Sequence, residues 1–430
     1  MRFHRIVSAA AVAAACLAPG LARAAGYDIY EQGAAALGMA GAATASVHDA
    51  SAVFFDPAAM TRLDGPQLQL GGSWLSTRIS FAGVDPYPGF GTAEKMKSGN
   101  FFPPTVYWAT PIRKTWAVGA GFNSPFGLGV EWENPGAFSG RRIVTKARLR
   151  NLMGNANLAW APNEWLSLAA GFDAMFASVE LDRLVNLFPT TGGQDQNDAS
   201  VKLSSGYKSG YGWNGAVLLT PGDLWRVALS YRARVDVDVD GDASFTQIPS
   251  GDPARDAVVA ANLPPGQPVH TTLKFPAIVS LGAAWKPAPA WTVEGDFNWT
   301  QWKAFDALDL TFPSNPSLNQ DLVENYKDSF QLRLGAEHRL AGCTYRFGYY
   351  FDQAAAPPAS VSPILPDANR HGAALGYGRA FGADRRLSLD VYELALFVEN
   401  RSTDGEERDH FNGVYKSFVN IFGASLGYHW

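Results

Sequence analysis

Only one stretch of the chain spells out a catalytic pattern. Gly423-Ala424-Ser425-Leu426-Gly427 matches G-x-S-x-G, the sharp strand-to-helix elbow that presents a serine nucleophile. That chemistry needs an acid and a histidine downstream, and only His429 and Trp430 follow, on an alternating stretch. The match reads as coincidence, and the chain as no enzyme. The seven histidines show no metal-like pairing with Cys or carboxylates, and no glycine-rich loop ends in Lys-Ser/Thr, so neither a metal nor a cofactor is expected. What the residue types can do is bind. Lys146, Arg148 and Arg150 alternate along one face, as do Arg226, Arg232 and Arg234, and Arg333 stands on a third such run. Pointing inward, they could meet a carboxylate; equally, they could solvate a polar interior and pair with Asp236, Asp238, Glu294 and Glu337. Phe126, Trp132, Phe138 and Phe188 lie between such runs and could form an outer capture groove or simply pack loops.

The elements that hold these residues are strands. In the last stretch Phe418, Phe422, Ala424, Leu426, Tyr428 and Trp430 fall on one face, and Val419, Ile421, Gly423, Ser425, Gly427 and His429 on the other. A last strand ending on Trp suits a transmembrane β-barrel, where it pairs with the first strand and sets aromatics at headgroup height. Phe422, Tyr428 and Trp430 are the expected carboxy-terminal signal for barrel assembly. From Gln67 onward about fourteen alternating runs follow, near 67–82, 101–110, 114–122, 146–160, 164–182, 206–220, 224–246, 270–286, 290–303, 328–340, 342–352, 370–382, 385–400 and 413–430. Many reach the roughly ten residues that a tilted strand needs in lipid. Tight turns such as Pro111-Ile112-Arg113, Pro221-Gly222-Asp223 and Ala341-Gly342 alternate with long connections at 83–100, 123–145, 183–205, 247–269, 304–327, 353–369 and 401–412. That alternation suits an outer-membrane barrel and is not required of a soluble sandwich or propeller.

Composition agrees. The 430 residues include 43 glycines, are 13 % aromatic and 17 % charged, and carry a net charge of −5, so nucleic acid is no expected partner. Mean hydropathy is −0.09. Residues 1–24 read as a secretory signal, with Arg2 and Arg5, an apolar core, and Ala22-Arg23-Ala24 before the cut. Cys343 is then alone in the mature chain, and no disulfide framework forms. Residues 25–65 are small, Ala/Gly-rich and weakly alternating. They read as short helical turns, too few to bury a core of their own. They are expected as a plug inside a barrel formed by 66–430, whose lumen is too wide for its own side chains to fill.

Four motifs, in order, resemble the FadL family of outer-membrane transporters for long-chain fatty acids and other hydrophobic molecules. Ala25-Gly26-Tyr27-Asp28-Ile29-Tyr30-Glu31 with Leu37-Gly38-Met39-Ala40-Gly41-Ala42 is similar to the family's opening. Asp56-Pro57-Ala58 stands where the family has an Asn-Pro-Ala hatch motif. Asn123-Ser124-Pro125-Phe126-Gly127-Leu128-Gly129 and Phe351-Asp352-Gln353 with Leu365-Pro366-Asp367-Ala368-Asn369-Arg370 resemble two later segments. The resemblance implies an all-β, fourteen-stranded antiparallel barrel with a small helical hatch in its lumen. It implies uptake of long-chain fatty acids and sideways release into the outer membrane at a kink formed by Pro125, Phe126 and Gly127. Lys146, Arg148, Arg150, Arg333 and Phe126 are the candidate ligand contacts. Lipopolysaccharide and the barrel-assembly machinery are the expected partners of a monomer. Asp56 departs from the motif, because an ionised acid cannot donate as an amide does. Other hydrophobic cargoes, an outer-membrane lipid hydrolase, and an unselective porin are the rival readings.

Overall fold

The computed structural model describes residues 26–430 apart from Lys114, 189–195 and Ala383; residues 1–24, expected as a secretory signal, lie outside the described residues. Fourteen antiparallel strands close into a barrel. They are β1 (Gln67–Gly83), β2 (Pro104–Ile112), β3 (Trp116–Asn123, resuming as Gly127–Glu131), β4 (Lys146–Trp160) and β5 (Leu166–Val185). Next come β6 (Ala199–Ser205 and Lys208–Leu219), β7 (Trp225–Arg232 and Val235–Gln247) and β8 (Gln267–Phe275 and Ile278–Ala288). The remainder are β9 (Trp291–Thr300), β10 (Ser329–Leu340), β11 (Cys343–Asp352), β12 (Arg370–Phe381), β13 (Leu387–Val398) and β14 (Gly413–His429). The first and last strands pair along 17 residues, from Gln67 opposite His429 to Gly83 opposite Gly413. No edge is left for a neighbouring chain to extend.

The outer surface carries what lipid requires. Trp116 stacks on Trp160 and Trp225 on Trp285, each pair with centroids 5.8 Å apart, at the short-turn end. Trp430, 56 % exposed, joins that ring, and Trp299, Tyr349, Phe397 and Phe418 form its counterpart toward the long loops. These are the aromatic girdles of a bilayer-spanning barrel. The long loops are themselves folded: they contain a helix, Pro253–Asn262, and a small hairpin of Ala307–Leu310 with Gln320–Val323.

Four strands are interrupted on the long-loop side: β3 at Ser124–Phe126, β6 at Gly206-Tyr207, β7 at Ala233-Arg234 and β8 at Pro276-Ala277. Each break shifts the in/out alternation by one residue. Below it, β7 turns Ala228 and Arg232 inward; above it, Val235, Val237 and Val239 are buried inside while Asp236, Asp238 and Asp240 face out. The sequence reading of 224–246 as one unbroken run is corrected here. So is the loop assigned to 123–145, since β3 resumes at Gly127 and the connection begins only after Glu131.

Residues 27–63 fill the lower lumen. They form α1 (Ala34–Gly38), α2 (Ala52–Phe55) and a 3-10 turn at Pro57–Arg62, nearly all buried. With so little apolar bulk, this hatch is held by polar groups of the wall. On β9, Asp296 accepts from the amides of Ala43 and Thr44, each at 3.0 Å, and from the Thr44 hydroxyl at 2.7 Å. Two residues away, Glu294 accepts from the amides of Ala45 (2.5 Å) and Ser46 (3.0 Å). Hydrogen bonds of this kind contribute about 0.5–1.5 kcal/mol each. The Val53 carbonyl accepts from Asn155 and Asn157 at 2.9 and 3.1 Å. Ser425, centre of the apparent serine motif, accepts from the Ala34 amide at 3.1 Å, which is a structural task.

Candidate functional site

At the break in β3 hatch and wall exchange main-chain hydrogen bonds. Pro125 has no N–H to give the ladder, but its carbonyl accepts from the Ile29 amide at 2.8 Å, and the Gly127 amide donates to the Tyr27 carbonyl at 3.0 Å. Gln32 reaches the Ser124 carbonyl at 2.9 Å. A short hatch strand thus replaces the partner that the break removes. Gly127 is needed for contact rather than for its backbone angles: a Cβ there would press on the Ile29 side chain. Phe126 is 1 % exposed, wedged among Tyr27, Phe275 and Trp302. It packs the break and also lines the cavity that opens beside it.

On its other side, β3 loses β2 above Phe122. A cavity of about 660 Å³ occupies the gap. Its inner lining includes Tyr30, Arg333 and Tyr350, and its outer lining includes Phe102, Arg150 and Leu152. Arg150 and Leu152 share the outward face of β4 with Leu158 and Trp160, so the cavity runs through the wall.

A second, apolar chamber of about 150 Å³ lies above it. The shifted alternation makes it, by bringing Leu128, Leu203, Val239, Val269 and Leu273 inside beside Leu149, Val179 and Leu181. Loop residues Phe305, Leu308, Leu310, Leu322, Ile364 and Leu365 close the top. Tyr27, Leu128, Leu149 and Leu365 line both cavities, so the two adjoin across these side chains. Moving one methylene from water into such a lining contributes about 0.8 kcal/mol. A hydrocarbon tail would thus dominate affinity here.

The cationic candidates separate. Lys146, Arg148 and Arg150 face outward, not inward. Lys146 pairs with Glu180 at 2.8 Å and Arg148 with Glu131 at 3.3 Å, whereas Arg150 has no ion pair among the described residues. Arg234 is likewise outside, bound to Asp236 at 2.6 Å. The reason is that above the breaks the inner face lines the apolar chamber, through Ala147 and Leu149 on β4, so the charged positions stand on the outer face. Arg333 and Arg232 do point inward, and both are committed. Arg333, 2 % exposed, donates to the Ala40 carbonyl and to Gln331, each at 2.6 Å, and lies over the rings of Tyr30 and Tyr350. Arg232 binds Asp173 at 2.8 Å and the Phe54 carbonyl at 3.3 Å. Around Arg333 and Arg370 stand Asp28, Glu31, Asp352 and Asp367. Burial, then Asp352, pushes the Asp28 carboxyl up to about 7 against the pull of Arg333. The two guanidiniums of the lumen centre thus face these four carboxyls, with Nε of Arg333 left without a hydrogen bond among the described residues.

Asp56 caps the 3-10 turn, accepting from the Ala58 amide at 3.0 Å with Pro57 at the first position. Burial lifts its carboxyl to about 7, opposed by the Ala58 and Ala59 amides, and its Oδ2 has no hydrogen-bond partner among the described residues. Trp132 and Phe138 stack on each other at 4.4 Å within a loop core and offer no open groove. The shifted faces were missed from sequence, although Pro276 and the Val-Asp repeat at 235–240 were visible signs.

A family model described as outer membrane protein transport protein (OMPP1/FadL/TodX) matches residues 15–430. The long-chain fatty acid transport protein of Salmonella typhi is 26 % identical over 447 residues, covering 98 % of each chain. Among solved structures, a Pseudomonas aeruginosa FadL homologue superposes with a TM-score of 0.82 at 21 % identity, covering 94 % of this chain and 100 % of that one. The P. putida toluene transporter TodX gives 0.74 at 18 % identity, covering 94 % and 99 %.

Proposed function

Because this chain belongs to the OMPP1/FadL/TodX family and is an outer-membrane transporter of hydrophobic compounds, not an enzyme, we propose that it carries long-chain fatty acids and releases them sideways beside β3. The ligand descends from the outer loops into the apolar chamber, tail first in energetic importance. It then passes into the wall-spanning cavity, where its carboxylate meets Arg150 at the outer face while the tail enters the bilayer. The single observation that carries this reading is that the capped apolar chamber adjoins, across Leu128, Leu149 and Leu365, the cavity at the gap between β2 and β3. Similarity to a long-chain fatty acid transport protein supports the cargo.

Binding and diffusion drive the passage, and the hatch seals the lower lumen against polar solutes. Labelled oleate and toluene, offered to cells whose own carrier is deleted, test the cargo. Oleate uptake should exceed toluene uptake, and Arg150→Gln should lower oleate uptake about fivefold while leaving toluene unchanged. Replacing Pro125 and Gly127 together with Val should reduce uptake of both. Full oleate uptake in that double variant would move release away from β3.

A further inference from the structure

Below the hatch, at the short-turn mouth, lies a third cavity, of about 200 Å³ and mostly polar lining. Arg62, at the end of the hatch's 3-10 turn, reaches it from above. Arg226 and Lys286 line it from the inner faces of β7 and β8. They are near neighbours, because Arg226 sits opposite Ala284 and the Lys286 amide donates to the Leu224 carbonyl at 2.9 Å. Among the described residues none of these three side chains has a hydrogen bond or an ion pair. Nε and Nη2 of Arg62 are buried and unpartnered.

The acids in electrostatic reach are Glu164 toward Arg62, Glu337 and Asp223 toward Lys286, and Glu294 and Asp56 toward Arg226. Several are engaged elsewhere. Glu337 holds Arg339 and Arg346 at 2.8 Å each, Glu294 holds hatch amides, and Asp56 caps its turn. Arg339 also lines the cavity but is neutralised by that pairing. Asp64 and Asp223 also line the cavity but form no ion pair with any of the three among the described residues. The cations repel one another, and a doubly charged anion between them turns that repulsion into attraction.

We propose that this cavity binds a phosphate group, which bridges Arg62 of the hatch to Arg226 and Lys286 of the wall. Guanidinium forks match phosphate oxygens two at a time, and the ammonium adds a point charge. A fatty carboxylate fits less well, because Ser46, His48, Asp49, Asp64 and Thr292 around the cavity leave no bed for a tail. The phosphate is either free in the periplasm or the headgroup of an inner-leaflet lipid. Bound there, it fastens the foot of the hatch to the barrel, a role independent of what the carrier transports.

The test uses the full mature protein in phosphate-free buffer at pH 7. Calorimetric titration with inorganic phosphate should show saturable one-to-one binding, weakened at least tenfold in Arg226→Gln and in Lys286→Gln. Arg234→Gln, on the outward face, serves as the unaffected control. In phosphatidylglycerol nanodiscs, a shifted ³¹P resonance lost in Arg226→Gln would assign the site to a headgroup, and its absence beside phosphate titration would assign it to the free ion. Heat-dependent gel mobility confirms that each variant is folded. Phosphate and headgroup both failing to register, or registering equally in wild type and both glutamine variants, overturns the proposal.

Discussion

The lower and upper halves of the lumen solve opposite problems with the same wall. Below the strand breaks the interior is polar: Arg232 with Asp173, Arg346 with Glu337 and Asp390, and the β9 carboxylates grip a segment with little apolar surface of its own. Above them the interior is aliphatic, and the charges stand outside. The chemical change is made by a one-residue shift in which side chains face in, not by any change in composition along the strand. A barrel can therefore be tight to ions at one end and attractive to hydrocarbon at the other without a second domain.

The contrast can be broken from either side. Gly348→Leu attacks the lower half hardest, because even a Cβ there collides with the backbone of Met39 and Ala40. The barrel should still fold with the hatch unseated, raising solute leakage into liposomes at least tenfold; unchanged leakage would show that something other than the wall seats it. Leu273→Asp attacks the upper half by placing an unpaired charge among apolar groups, a cost of several kcal/mol. Oleate binding should fall about tenfold with no added leakage, as read by fluorescent fatty-acid titration. Leakage in this variant would mean that the two halves are not separable.

The smallest effect concerns the cap. Burial lifts the Glu324 carboxyl to about 7 even though Arg408 lies 2.9 Å away and pulls the other way. With the folded value raised, the stability it contributes is complete below the unfolded value of about 4.5 and is lost as pH rises through about 7. Limited proteolysis of the outer loops should therefore quicken between pH 5 and pH 8. Glu324→Gln should flatten that dependence by a factor of about two to three.

Much of this was legible in the sequence for a physical reason. Where lipid lies outside and water inside, period-two alternation reports orientation directly, and so β14, its aromatic face and the strand boundaries below the breaks could be read from residues such as Phe422 and Leu426. The same rule failed at Lys146, Arg148 and Arg150. Above the breaks the inner face lines an apolar chamber and the charged face looks out, so alternation keeps its period while its sign is reversed. The breaks at Gly206-Tyr207 and Ala233-Arg234 are silent in any reading that scores a run by periodicity alone. The turn at Asp56-Pro57 was legible because capping is local. The commitment of Arg333 to the Ala40 carbonyl was not, since 293 residues separate the partners.

Asp296 and Glu294 grip main-chain amides at positions 43–46, so most of this seat is indifferent to which side chains those positions carry. The plug's identity can consequently be rewritten, by drift or by an engineer, while its docking survives. A synthetic sequence that keeps the bend and its four donors would slot into the same pore and change what the pore admits.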